Sequence, residues 1–413
     1  MKIAVLGLNY APEVIGIGLY TGGMCRWLAG RGHGVTVVAA KPYYPEWRVF
    51  EGWRGDGSRR SVEDSVDVTH VAIYVPAEPT GARRILHHLS SAASAALPLL
   101  ARTLKQRPDV VITVAPSLIA SPVAWAVARL TGAKCWLHVQ DFEVEAAFAT
   151  GLMNQRGIGA RLARAFQRFV FRRFDALSSI SEEMCRKLES FGVEPARIHQ
   201  LRNWADLDRV RPSEHPSLYR VEWGIETPHV ALYSGNIANK QGIEIVVEAA
   251  RRLSHRKDLS FVVCGNGPNR AALEREAADL GNMIFRDLQP QDRLGELMGL
   301  ATVHLLPQKA GAADLVLPSK LTNMLASGRP VVATAAEGTG LARGVEGCGI
   351  VTEPGDAAAF AAAIERLLDD EDLRRQRGVT ARLRAEKVWS QSAILEGLEA
   401  RLSALSDRLK PPV

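Results

Sequence analysis

The chain has 413 residues, 47% of them hydrophobic and 23% charged; that is enough for two cored domains and excludes the apolar-poor, highly charged regime of disorder. No apolar run reaches the roughly 18 residues of a membrane span, and the densest, residues 92–101, carries Ser94 and Pro98 and is closed by Arg102. Fifty-one Lys and Arg against 45 Asp and Glu give +6, spread along the chain, so nucleic acid is not an expected partner; five scattered cysteines without CxxC spacing exclude a zinc knuckle or disulfide framework and fit a reducing, cytoplasmic compartment.

From the first residue, one Lys and a short apolar run are broken by Asn9, Pro12 and Glu13, too early for a signal peptide, so a buried strand is expected. Val- and Ile-rich runs then predict strands over 3–8, 35–40, 68–73, 110–114, 134–139 and 176–179. Helical patterns fall between them over 19–29, 85–105, 118–130, 160–174 and 182–190. Near-continuous apolar strands such as Val110-Val111-Ile112 imply burial on both faces, hence helices on both sides of a parallel sheet. Around Pro212 and Pro216 periodicity stops, which marks a domain boundary. A second set follows, with strands over 229–234, 259–264, 283–286, 303–306, 330–334 and 349–352. Its helices are expected over 243–253, 269–280, 291–300, 320–327, 357–368 and 373–387, with a last one over 391–409. The expected fold class is α/β: two doubly wound, Rossmann-like domains, 1–205 and 206–389, facing across a cleft, the first completed by a C-terminal helix within 390–413.

Chemistry is sought at the strand-to-helix loops. The first carries Gly16 and Gly18, where backbone amides can approach a phosphate. It lacks GxGxxG spacing, and no acidic residue ends the second strand, which counts against a nicotinamide cofactor. In the second half, Gly235-Asn236 and Gly265 each follow a strand. The fullest constellation is Pro318-Ser319-Lys320. Pro318 and Ser319 open a helix whose unpaired N–H groups and positive dipole end suit an anion, and Lys320 adds a charge at the same mouth. Lys240, in another such loop, is a second cation for the same diphosphate. At the end of the strand at 134–139, His138 and Asp141 are candidates to orient or deprotonate an acceptor hydroxyl, against the alternatives of a core histidine and a capping aspartate. Asp206-Leu-Asp208 spells DxD but has no companion ligands for a metal site. Two basic amphipathic stretches remain. Core packing of Phe166, Phe169 and Phe174 is expected for the second, which leaves residues 83–101, headed by Arg83 and Arg84, as the candidate contact with an anionic membrane.

Taken together, Asn9-Tyr10-Ala-Pro12-Glu13 with Gly16 and Gly18, Arg31-Gly32-His33-Gly34, His138-Val-Gln-Asp141-Phe-Glu143, Asn203-Trp204, Gly235-Asn236, Lys240-Gln-Gly242 and Pro318-Ser319-Lys320 resemble the retaining GT-B glycosyltransferases of family 4. The closer similarity is to the colanic-acid-type fucosyltransferases of bacterial exopolysaccharide synthesis. The resemblance implies transfer of a sugar from a nucleoside diphosphate sugar, a GDP-sugar such as GDP-fucose, to a hydroxyl of a lipid-linked glycan at the inner face of the plasma membrane. It implies retention at the anomeric carbon and neither metal nor cofactor. The diphosphate and nucleotide would be held by Gly16, Gly18, Gly235, Asn236, Lys240, Gly265, Pro318, Ser319, Lys320 and Asn323, with His138, Asp141 and Lys320 as the catalytic set. One departure stands out. The wider family has two glutamates eight residues apart; this chain has Leu315 and Asn323, so donor-sugar contact would fall to Asp314 and Leu315, and ribose contact to the Asn323 amide. The rival readings are a nucleotide-sugar epimerase of the same shape and a noncatalytic sugar-nucleotide binder in an assembly complex.

Overall fold

The computed structural model describes residues 1–13, 16–55, 57–78, 80–149, 157–213, 215–310 and 319–407, without the side chains of residues 146, 147, 149, 240 and 319. The chain divides into two units, Met1–Arg202 with Leu395–Val413, and Asn203–Ile394.

The first unit runs β1 (Lys2–Gly7), α1 (Gly16–Gly30), β2 (Gly34–Ala40), β3 (Arg59–Glu63), β4 (Val66–Val71), α2 (Gly81–Gln106), β5 (Val110–Ala115) and α3 (Ser121–Thr131). It continues through β6 (Lys134–Val139), α4 (Glu143–Ala149), α5 (Ile158–Arg173), β7 (Ala176–Ser179), α6 (Glu182–Ser190) and β8 (Ile198–Gln200). Its eight strands pair in the order β3-β4-β2-β1-β5-β6-β7-β8. All neighbours are parallel except β3 and β4. Every residue of β5 is buried, because helices cover both faces of a sheet whose strands are apolar on both sides. Ser181 starts α6 by accepting the Met184 N–H at 3.2 Å, the usual remedy for an orphan first-turn donor.

Between β6 and β7, α5 departs from the sequence expectation. Phe174 is buried as expected, but Phe166 and Phe169 are exposed. The core-facing side is built instead by Ala160, Gln167, Val170 and Phe171. Both faces of this helix are apolar, so periodicity alone selects the wrong one.

The second unit contains α7 (Tyr219–Glu222), β9 (His229–Ser234), α8 (Glu244–Arg252), β10 (Leu259–Cys264), α9 (Arg270–Glu276), β11 (Met283–Arg286), α10 (Leu294–Leu300) and β12 (Val303–Leu306). After these come α11 (Ser319–Ala326), β13 (Val331–Thr334), α12 (Gly340–Val345), β14 (Gly349–Thr352), α13 (Ala357–Asp369) and α14 (Glu371–Val388); α15 (Gln391–Asp407) ends the described chain and belongs from Leu395 onward to the first unit. Six parallel strands pair in the order β11-β10-β9-β12-β13-β14. The chain moves outward from β9 through β10 to β11, then returns to the other side of β9 with β12. Beside β9 is therefore the topological switch point, where the carboxyl ends of such sheets leave a crevice for ligands. Asp370 links the last two helices of the unit by accepting the Leu373 N–H at 2.8 Å. Both units are Rossmann-like α/β folds on parallel sheets.

Candidate functional site

At the switch point of the second unit, three loops leave the carboxyl ends of β9, β10 and β12. The first two run side by side beyond their strands. The Gly235 N–H donates to Cys264 O at 2.8 Å, the Ile237 N–H to Asn266 O at 2.9 Å, and the Asn269 N–H to Ile237 O at 3.2 Å. A Cβ on Gly265 would lie 1.9 Å from Gly235 O, so only glycine lets these backbones meet. Lys320, in the first turn of α11, reaches across from the third connection. Its Nζ donates to Tyr233 Oη at 2.8 Å and sits 4.5 Å from the centre of that ring. Tyr233 Oη in turn donates to Asn236 O at 2.5 Å. A Cβ on Gly235, whose φ is +135°, would lie 2.2 Å from Lys320 Cε and 2.3 Å from Nζ. Gly235 thus makes room for the lysine, and the fully buried Tyr233, kept a neutral phenol by burial, fixes its ammonium over the β9 loop.

The structure therefore brings together Gly235, Asn236, Gly265 and Lys320. Ser319 supplies the first residue of α11; Asp314, Leu315 and Pro318 lie outside the described residues, as do the side chains of Ser319 and Lys240. The Lys240 backbone belongs to a short 3-10 turn, Asn239–Gln241, next to the same loop, and Asn239 Oδ1 accepts from Asn269 Nδ2 at 2.6 Å.

Asn323 lies on α11. Its Oδ1 accepts the backbone N–H of Asp206 at 3.0 Å, so the carbonyl half of the amide ties the entry of the unit to that helix, and the ribose contact expected of the amide falls to its N–H₂ half. Neither carboxylate of the DxD is idle. Asp206 accepts the Arg209 N–H at 3.1 Å and Asp208 pairs with Arg211 at 3.2 Å. Among the described residues no group of three or more His, Cys, Asp or Glu is placed to hold a metal ion. Tyr233, which the sequence reading passes over, completes the cluster; its only signal was a tyrosine two residues before the glycine that ends a strand.

In the first unit the glycine loop is filled from within. Glu13 is buried; its Oε1 accepts the N–H groups of Tyr43 and Tyr44, both at 3.0 Å, and its Oε2 accepts Asn9 Nδ2 at 2.8 Å. A Cβ on Gly18 would lie 2.9 Å from Glu13 Cβ and 3.2 Å from Tyr10 O. The close approach expected of a phosphate or acceptor at Gly18 is thus made by the chain's own glutamate. Gly16, at φ +64°, opens α1 with Tyr44 Cε1 3.5 Å from where its Cβ would be.

His138 sits inside β6, buried, with Nδ1 2.9 Å from Ser178 Oγ, which also accepts from Trp136 Nε1 at 2.8 Å. Burial pushes its pKa down to about 4, so the imidazole is neutral at physiological pH. That is the arrangement of a hydrogen-bonded core histidine; any part at an acceptor would fall to Nε2. Asp141 stands exposed two residues beyond β6. The group that sequence reasoning left without a role is Glu143, at the start of α4. Its carboxylate accepts the Leu118 N–H at 3.1 and 3.3 Å. Burial pushes its pKa up to about 7 against the opposing pull of the Leu118 and Ser117 amides. Ser117, at φ +134°, holds the strained turn that aims those amides.

Two family models match in sequence. Residues 16–204 match the glycosyl transferase 4-like domain and residues 218–384 match glycosyl transferases group 1. The chain is 39% identical over 405 residues to the putative colanic acid biosynthesis glycosyl transferase WcaI of Escherichia coli K12, covering 96% of this chain and 98% of that one. It is 28% identical over 235 residues to the alpha-D-kanosaminyltransferase of Streptomyces kanamyceticus, covering 55% and 56%. Among solved structures, sucrose-phosphate synthase of Thermosynechococcus elongatus shares the fold with a TM-score of 0.72 at 17% identity, over 98% of both chains. HepE of Anabaena in complex with UDP shares it with a TM-score of 0.68 at 16% identity, over 98% of this chain and 100% of that one. The chain belongs to the GT-B glycosyltransferases that join a glycosyl transferase 4-like domain to a group 1 domain.

Proposed function

We propose that the protein transfers a hexosyl group, with retention and without a divalent metal, from a nucleoside diphosphate sugar to a hydroxyl of a lipid-linked glycan in exopolysaccharide synthesis at the inner face of the plasma membrane. The observation that supports this reading is the Lys320 ammonium held over Gly235 at the switch point of the second unit. When the bond to the anomeric carbon breaks, negative charge collects on the departing diphosphate. A fixed cation and the first N–H groups of α11 stabilise that charge more than they stabilise the intact donor, which is the condition for rate acceleration. Lys240 would add a second cation, and Pro318 and Ser319 would shape the turn into α11. Asp314 and Leu315 would meet the donor sugar, while the remaining amide N–H₂ of Asn323 would reach the ribose. On the acceptor side the candidates are Asp141 and the Nε2 edge of His138.

A GDP-sugar such as GDP-fucose is the proposed donor, on the resemblance of the sequence to the colanic-acid-type fucosyltransferases. The test is a panel of GDP-fucose, GDP-mannose and UDP-glucose incubated with native lipid acceptors, with and without EDTA. Diphosphate release and sugar in the lipid fraction are followed, and NMR reads the anomeric configuration. Release from a GDP-sugar that depends on acceptor and survives EDTA is expected. Sugar epimerised without reaching the lipid, or donor bound without diphosphate release, would replace the transferase with one of its rivals.

A further inference from the structure

In the first unit, α2, α3 and α5 form one layer over the sheet. Buried residues of all three join a single core cluster, with Ala95 and Leu99 from α2, Ala124 and Val127 from α3, and Val170 and Phe171 from α5. The Arg173 guanidinium bridges two of them, 5.4 Å from the Trp125 ring of α3 and 4.7 Å from Phe169 of α5. The opposite, outward side of this layer is where a polar surface belongs. It is apolar instead. Leu97 of α2 is 76% exposed, Leu130 of α3 70%, and Ile158 and Leu162 of α5 70% and 65%.

On α5 the pattern is regular. At about 100° per residue, Ile158, Leu162, Phe166 and Phe169 fall within a sector of about 80°, away from the core-facing Gln167 and Val170. Arg161, Arg168 and Arg172, all exposed, line one flank of that sector. Charge is just as one-sided: the three helices together carry ten Arg and Lys and no Asp or Glu, while the rest of the chain has more acids than bases.

We infer that the outer face of the α2–α3–α5 layer rests on an anionic bilayer, its Leu and Phe side chains entering the acyl boundary and its arginines meeting lipid phosphates. A second copy of the chain is a poor occupant. A two-fold axis through this face would set the exposed Arg161, Arg168 and Arg172 of one copy against those of the other, with no carboxylate on these helices to separate them, whereas an anionic surface complements them. The inference deepens the proposed lipid-linked acceptor, and it extends the membrane contact beyond residues 83–101 to α3 and α5. Docking of this face would hold the transferase at the surface where a lipid-borne hydroxyl is presented.

The experiment is cosedimentation of the full chain with phosphatidylcholine vesicles and with vesicles containing phosphatidylglycerol, using the variant pair Phe166→Ser with Phe169→Ser and the triple Arg161→Gln, Arg168→Gln, Arg172→Gln. Binding to the phosphatidylglycerol vesicles is expected, weakened by salt. It should fall at least about tenfold in the phenylalanine pair and on the order of a hundredfold in the arginine triple. Melting temperature and GDP affinity should stay at wild-type values; if the phenylalanine pair melts early, the arginine triple carries the test alone. Equal binding to both vesicle types, wild-type binding in the arginine triple, or loss of a dimer as the main effect of either variant would overturn the inference. Because the readout is vesicle binding, its failure is separate from failure of sugar transfer in the donor panel.

Discussion

Replacing Glu143 by Gln removes a buried charge and keeps an acceptor for the Leu118 amide. In the folded chain the carboxyl titrates near 7, against an ordinary value of 4.5. Between those values the native state holds a proton that the unfolded chain has lost, so stability falls as pH rises through the window. A raised carboxyl pKa therefore penalises folding at high pH and is neutral at low pH. At roughly 1.4 kcal/mol per pH unit the full penalty is about 3 kcal/mol; since Glu143 retains some exposure, solvent screening brings the expectation to about 1–3 kcal/mol. The Gln variant should match wild type within about 0.5 kcal/mol at pH 4 and exceed it by about 1–3 kcal/mol at pH 8.5. Hydrogen exchange of the β5 and β6 amides reads the opening free energy of this unit without requiring the two units to unfold together. A difference between variant and wild type that does not change with pH would refute the reasoning.

Three further substitutions bear on the close approaches. Gly18→Ala forces a methyl against Glu13 and Tyr10 O; a loss of about 1–3 kcal/mol is expected, read as a lower melting temperature, and a wild-type melting temperature would show that the glutamate is not fixed there. Asn323→Ala leaves the Asp206 N–H without its acceptor and should cost about 1–3 kcal/mol in urea unfolding, while a large loss of nucleotide affinity at unchanged stability would return the amide oxygen to the ribose. Gly235→Ala meets both a positive φ and the lysine chain. It should destabilise by about 1–2 kcal/mol and weaken GDP binding about tenfold as the ammonium swings away, whereas unaltered binding in calorimetry would mean the lysine relaxes without consequence.

Much of the fold is legible because parallel strands buried on both faces leave near-continuous apolar runs, as in Val110-Val111-Ile112. The edge strand β3 leaves no such run. Arg59-Arg60-Ser61-Val62-Glu63 is mostly exposed, and it pairs with β4 through a turn at Asp64 and Ser65, with φ of +47° and +67°, where sequence commonly signals Asn-Gly. Nor can period alone orient α5, whose two apolar faces compete for the core. In the candidate site, the strand-to-helix loops are readable from glycines next to apolar runs. The pairings that give those loops their contents are not. Tyr233 beneath Lys320 and the Asp206 amide on Asn323 join segments distant in sequence, and Glu13 is held under Gly18 by the amides of Tyr43 and Tyr44, 30 and 31 residues further on; no local pattern encodes such distances.

Isothermal titration of GDP and UDP into the full chain and into Lys320→Met is the most direct test of where the donor diphosphate sits. Removing a charge-assisted contact to phosphate should weaken binding of the diphosphate by about 10–100-fold, with little change in melting temperature for the free protein. Affinity equal to wild type for both nucleotides would contradict a diphosphate held beside Gly235 and Lys320.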